Sequence, residues 1–229
     1  MHPGLTARTT ALGLAALLIA SALGYWGVSA YRKGQLQKAV SVLVKDSSER
    51  LQAALAVETG TAPEDAAQMV RKLDDQAQEV DKHVIELRGI SASPNPALVD
   101  AAEEYLLTVR QILRNQAASH RYRTQVSAGE RALREHMRMA NRRSGTWIQE
   151  ALRRKDRMEK DYFDYRLSVE TFGRLLESYP ATRKKLAQQV GAGLLTDESV
   201  AANARKRALA NSRRVADDVE RARQLAAVR

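Results

Sequence analysis

Two stretches of this chain space their apolar residues alternately four and three apart, and that spacing constrains the fold more than any other feature. The first runs Ala66, Val70, Leu73, Ala77, Val80, Val84, Leu87; the second runs Met158, Tyr162, Tyr165, Val169, Phe172, Leu176, Tyr179. A helix gathers such positions on one face, whereas a strand alternates with period two, so both stretches read as helices bearing a narrow coiled-coil seam. No segment alternates long enough to make a strand. With 5% aromatics and a predominance of helix formers, the chain is expected to be all-α. The expected architecture is a single N-terminal transmembrane helix followed by an elongated bundle of antiparallel, coiled-coil-like hairpins.

Breakers divide the chain. Thr61, Pro63, Glu64 and Asp65 mark a helix start after Gly60, and Pro94 and Pro96 interrupt helix between residues 91 and 96. The 141–146 stretch, Asn-Arg-Arg-Ser-Gly-Thr, is the expected bend of a long hairpin, with Ser144 or Thr146 as cap and Gly145 supplying a positive φ or a flexible point. Pro180 is expected to end or kink the following helix. A shorter helix, 181–190, then precedes Gly191-Ala192-Gly193 and a last helix opened by Thr196, Asp197 and Glu198. That last helix is lined by an alanine-rich stripe of Val200, Ala204, Ala208, Val215, Val219, Ala222 and Leu225, so it is expected to be less firmly held. The expected units are a short head at 1–8, an anchor at 9–31, a juxtamembrane hairpin at 32–92, a long hairpin at 96–179 and C-terminal helices at 181–229.

The anchor rests on the uncharged run from Thr9 to Tyr31. As a helix it would reach roughly 34 Å, against a hydrocarbon core of about 30 Å. Tyr25, Trp26 and Tyr31, then Arg32 and Lys33, close it as an aromatic belt and snorkelling cations would at a membrane interface. A signal peptide cleaved after Ala22 or Ala30 is the competing reading, opposed by the apolar residues that continue past Ala22. The cations Arg32, Lys33, Lys38 and Lys45 outnumber the lone Arg8 before the span, which favours a cytoplasmic domain. An eight-residue head before an apolar segment is, however, the layout of an anchor that exports its C-terminus. A periplasmic domain on the inner membrane is therefore expected, with cytoplasmic orientation as the alternative. The chain has no cysteine, which excludes disulfides, thiolate metal sites and cysteine nucleophiles.

Charge is segregated. The net formal charge is +10, but residues 32–113 carry −3, residues 114–155 carry +8 and residues 156–229 carry +4. The central block holds the expected partner- or polyanion-binding residues: Arg121, Arg123, Arg131, Arg134, Arg138, Arg142, Arg143, Arg153 and Arg154, with Trp147 among them. Arginine offers a planar fork matched to carboxylate and phosphate, and an indole can stack. If the hairpin folds at 141–146, these basic stretches lie together at the end of an arm of about 45 Å.

Nothing points to catalysis. The chain lacks a glycine-rich phosphate loop, HExxH and GxSxG, so no catalytic, cofactor or metal residue is expected. Glu79, His83 and Glu86 share a helix face but lie off the seam, where a solvated charge cluster is the simpler account than a metal site. The Asp161–Tyr165 segment reads as core aromatics flanked by surface carboxylates. The expected role is a membrane-anchored, non-enzymatic scaffold or adaptor of a bacterial envelope complex. Its basic hairpin would dock on an anionic surface or subunit, and its coiled-coil seams would recruit a helical partner or a second copy. A cytoplasm-facing protein binding nucleic acid or anionic membrane is the alternative, and an extracytoplasmic sensor is a weaker one.

Overall fold

The computed structural model describes residues 4–56, 63–90, 94–138 and 144–227, with side chains over 30–56, 66–90, 94–138 and 144–226. The described chain is all helix: α1 (Gly4–Ala56), α2 (Pro63–Arg88), α3 (Pro96–Arg138), α4 (Gly145–Val190), a 3-10 turn (Ala192–Leu194) and α5 (Glu198–Ala227). There is no strand among the described residues.

Several helix starts follow from local chemistry. Asn95 Oδ1 accepts from the Leu98 amide at 3.3 Å while Pro96, with no amide hydrogen to satisfy, opens α3. Ser144 Oγ accepts from the Trp147 amide at 3.2 Å and caps α4. Asp197 Oδ1 accepts from the Ser199 amide at 2.7 Å at the start of α5, and that bond holds its carboxyl below the usual range. Gly191 takes a positive φ of 92° and closes α4. Gly145 does not; it is simply the first residue of its helix.

Helix α3 is the axis, since α1, α2, α4 and α5 all pack on it. α1 runs parallel to α3 and stops halfway: Gln37 Nε2 donates to Gln189 O at the lower end, and Gln116 Nε2 donates to Ala54 O higher up. α2 returns antiparallel, tied to α3 by Asp74 to Arg121, Asp81 to Arg110 and Glu103 to Arg88. α4 descends along the full length of α3, and α5 climbs back. The result is a thick base of five helices and a thinner tip where only α3, α4 and α5 continue.

Each region has its own core. The basal core joins Val40, Leu51, Leu73, Leu87, Leu106, Ile112, Leu176 and Leu186. The smaller tip core joins Val126, Leu133, Met137, Met158, Val169, Val215 and Val219. In the basal region a closed circuit of hydroxyls crosses the core. Ser48 Oγ meets Tyr105 OH at 2.6 Å, and Tyr105 OH meets Tyr179 OH at 3.3 Å. Tyr179 OH donates to Thr196 O at 3.0 Å, and Thr196 Oγ1 donates to Ser48 O at 2.7 Å. It links α1, α3, α4 and the approach to α5. Burial pushes the Tyr179 hydroxyl strongly upward, so it stays protonated and able to donate.

Three expectations change. Both seams are consumed inside the chain: Leu73 to Leu87 pack in the base, and Met158 to Tyr179 run along the buried side of α4. They are therefore not faces left open for a helical partner or a second copy. Pro180 neither ends α4 nor starts a new helix, because Leu176, Tyr179, Thr182 and Leu186 are buried on both sides of it. That packing outweighs the about 3 kcal/mol a helical proline costs. Leu225, assigned to the inner stripe of the last helix, is 50% exposed. The rest of that stripe, from Ala204 to Ala222, lies inward as the spacing requires.

The anchor expected at 9–31 falls, through Ser29, on residues whose side chains lie outside the described set, including Tyr25 and Trp26. Tyr31, Arg32 and Lys33 are described and exposed. Among the described residues no helix is long and apolar enough to cross a membrane.

Candidate functional site

The tip is built where α3 ends and α4 begins. Its hairpin is clasped by His136 and Trp147. The indole Nε1 donates to His136 O at 3.2 Å, and the imidazole Nε2 meets Trp147 O at 2.9 Å. The two rings stack 5.0 Å apart at 15°. Trp147 is thus half-buried in the structure of the hairpin, with one face already covered by His136.

Below the clasp, Gly129 lets the two helices close together. A Cβ there would come within 3.3 Å of Met158 Cβ. This close approach leaves a cleft of about 480 Å³ alongside, lined by Gly129, Ala132, Glu150, Arg153, Arg154, Arg157 and Asp161 among others. Glu150 is gripped by Arg153 Nε at 3.0 Å and Arg154 Nε at 2.7 Å, and these bonds hold its carboxyl below the usual range.

The predicted cations divide into groups. Arg121 pairs with Asp74 of α2 at 3.1 Å. Arg123 lies deeper, in a small cavity shared with Leu55, His120, Tyr165 and Arg207. Arg131 donates to Ser127 O at 3.3 Å on its own helix, and Arg134 pairs with Glu130 one turn earlier. Arg138 ends α3 exposed, and Arg153 is 80% exposed. Arg142 and Arg143 lie outside the described residues. The structure therefore gathers Arg131, Arg134, Arg138, Arg153 and Arg154 around the tip, places Arg121 against α2 and sends Arg123 inward.

That inner cavity joins the two cores. Burial, with Arg123 adding to it, lowers His120 to about 4, and burial pushes Tyr165 up to about 12. Both are neutral at ordinary pH. Arg207 donates to Leu55 O, satisfying a carbonyl near the end of α1, where a cation also suits the helix dipole.

Elsewhere, His83 is not part of a solvated cluster with Glu79 and Glu86. Its Nδ1 meets Ser47 Oγ at 2.9 Å, its Nε2 lies 3.4 Å from Asp46, and Glu79 turns to Lys82. Among the described residues no three His, Cys, Asp or Glu side chains are placed to hold a metal ion.

Sequence reasoning missed the clasp, the Gly129 approach and the hydroxyl circuit. The signal existed. Once a bend is set at 141–146, residues roughly equidistant from it face each other, which pairs His136 with Trp147, Gly129 with Met158 and Tyr105 with Tyr179. Compared with known proteins, the chain matches no family model, no curated protein and no solved structure.

Proposed function

We propose that this chain is a membrane-anchored, non-enzymatic helical scaffold or adaptor of a bacterial envelope complex, held in the inner membrane by residues 9–31 with its bundle on the periplasmic side. The bundle works as a spacer that presents a cationic tip to an acidic partner subunit. One observation carries the reading: α1 enters the bundle beside Gln189 at the base, whereas the exposed Arg138 and Arg153 stand at the opposite end. α3 alone has 43 residues. At 1.5 Å rise per residue the tip stands roughly 60 Å beyond the base. A protein anchored through α1 would hold its tip arginines away from its own bilayer, where a second subunit can reach them.

The polarity of the ion pairs supports the same division. At the base, acids from one helix neutralise cations of another, as in Arg110 to Asp81 and Lys185 to Glu104. At the tip the pairs are mostly within one helix, as in Arg154 to Glu150, and they leave an excess of positive charge facing outward.

Charge reversal of Arg142, Arg143, Arg153 and Arg154 is expected to abolish capture of the envelope partner in a pull-down. Capture that survives reversal would remove the tip from the mechanism. A reporter fused to the C-terminus separates orientations: activity only on the periplasmic side fits the proposal. Activity only in the cytoplasm, with binding of duplex DNA that falls steeply with salt, would give the nucleic-acid reading instead.

A further inference from the structure

The tip carries an apolar notch as well as charge. Where the first turns of α4 pass the end of α5, a groove of about 200 Å³ is lined by Met137, Trp147, Ile148, Ala151, Leu152 and Ala226, with Lys155 at its edge. Ile148 is 48% exposed, Leu152 53% and neighbouring Leu225 50%. Phe163 and Leu167 of α4 are exposed as well, but Ile148 and Leu152 line this groove. The stacked His136–Trp147 pair, bonded in both directions, fixes the indole that lines the groove, so the notch is preformed.

We infer that this groove seats the apolar side of an acidic amphipathic helix from a partner protein, with Lys155, Arg153 and Arg138 meeting that helix's carboxylates. The inference rests on the docking role proposed above and names its occupant. Charge selects the partner: Lys155 lines the groove, and Arg138 and Arg153 directly follow its lining residues Met137 and Leu152 in the chain, so a second copy brought tip to tip would set like charges against each other. Shape selects protein over lipid, because a concave notch receives individual side chains, whereas a bilayer surface is met by a protruding apolar face. The pattern of apolar anchors within a cationic rim is that of helix-in-groove recognition, where the anchor contributes affinity and the charges steer.

The test uses the full chain in detergent micelles and two fluorescein-labelled probes, followed by anisotropy. One is a helical peptide with leucine along one face and glutamate elsewhere; the other is polyglutamate of equal charge. The leucine-bearing peptide is expected to bind the native chain about tenfold or more tightly than polyglutamate, and to quench Trp147 emission in a Trp26→Phe background. Ile148→Ser with Leu152→Ser should erase that advantage while leaving polyglutamate binding intact. Both positions are exposed, so the fold is expected to tolerate the change. Equal affinity for the two probes, or groove variants that bind the leucine peptide as tightly as the native chain, overturns the groove. If neither probe binds the native chain, the docking role itself fails. Groove-dependent binding to phosphatidylglycerol vesicles without peptide binding would assign the notch to lipid and overturn the inference.

Discussion

The base and the tip are made from the same helices and are built for different ends. At the base five helices surround a wide core, hydroxyls close a circuit between four chain segments, and acids and bases pair across helices. At the tip three helices share a narrow core that includes Val126, Met158, Val219 and Ala222, and the ion pairs run mostly along single helices. Cross-helix pairs and wide cores resist separation; intrahelical pairs do little to hold helices together. The base is where stability resides, and the tip is where charge is displayed at low structural cost. Backbone amides of Val126 to Met137 should accordingly exchange with solvent faster than those of Leu106 to Ala117.

The largest test of that contrast removes the centre of the circuit. Tyr179→Ala deletes a fully buried ring and leaves the Thr196 carbonyl without its tyrosine donor. It is expected to cost about 3–5 kcal/mol in denaturant unfolding. Tyr179→Phe keeps the ring and should cost about 1–3 kcal/mol. A loss no greater than that of an exposed-site substitution would mean the circuit does not hold the base together.

The junction between the two cores is expected to be acid-sensitive. His120 has its folded pKa lowered to about 4, with Arg123, Tyr165 and Arg207 lining the same cavity. The unfolded chain takes up this proton near pH 6.5 and the folded chain does not. The neutral-state stabilisation is thus complete above about pH 6.5 and is lost as pH falls toward 4, by at most about 3 kcal/mol. His120→Asn should flatten that part of the stability profile. A native profile that is already flat between pH 6.5 and 4 would show His120 to be solvated.

A smaller contrast separates two helical glycines. Gly129→Ala must displace Met158, whose Cβ would lie 3.3 Å away, whereas Gly173→Ala meets nothing within 4 Å. Alanine gains up to about 1 kcal/mol in a helix, while overpacking costs about 1–3 kcal/mol. The first substitution should destabilise and the second stabilise. Melting temperatures that shift in the same direction would mean the helices at the tip are not in close contact. Least of all, Arg121→Ala should change stability by under about 1 kcal/mol, since its pair with Asp74 is half exposed on both sides.

How much of this was legible differs between the regions. The seams, the helix starts at Pro63 and Ser144 and the cationic hairpin could be read directly, because spacing and capping are local. The destination of the seams could not. A heptad states that a face is buried without stating against what, and both seams turned out to pack on α3 and its neighbours. Pro180 does not end its helix, because propensity is a local cost, outweighed here by Tyr179 and Leu186 on either side. The hydroxyl circuit needed four residues from distant segments, and no single one of them has a sequence signal. At the tip, the list of arginines was sound as composition but silent on partners, so Arg123 and Arg121 turned out to be occupied in the bundle.

The absence of cysteine allows the central claim, a rod anchored at its base with its tip arginines held far from the bilayer, to be measured cleanly. Single fluorophores at Lys184→Cys near the base and Thr146→Cys at the tip would be compared in proteoliposomes for quenching by a headgroup-linked acceptor. The account predicts strong transfer from the base and little from the tip, which lies roughly 60 Å farther away. Equal transfer from both positions, or stronger transfer from the tip, would contradict it.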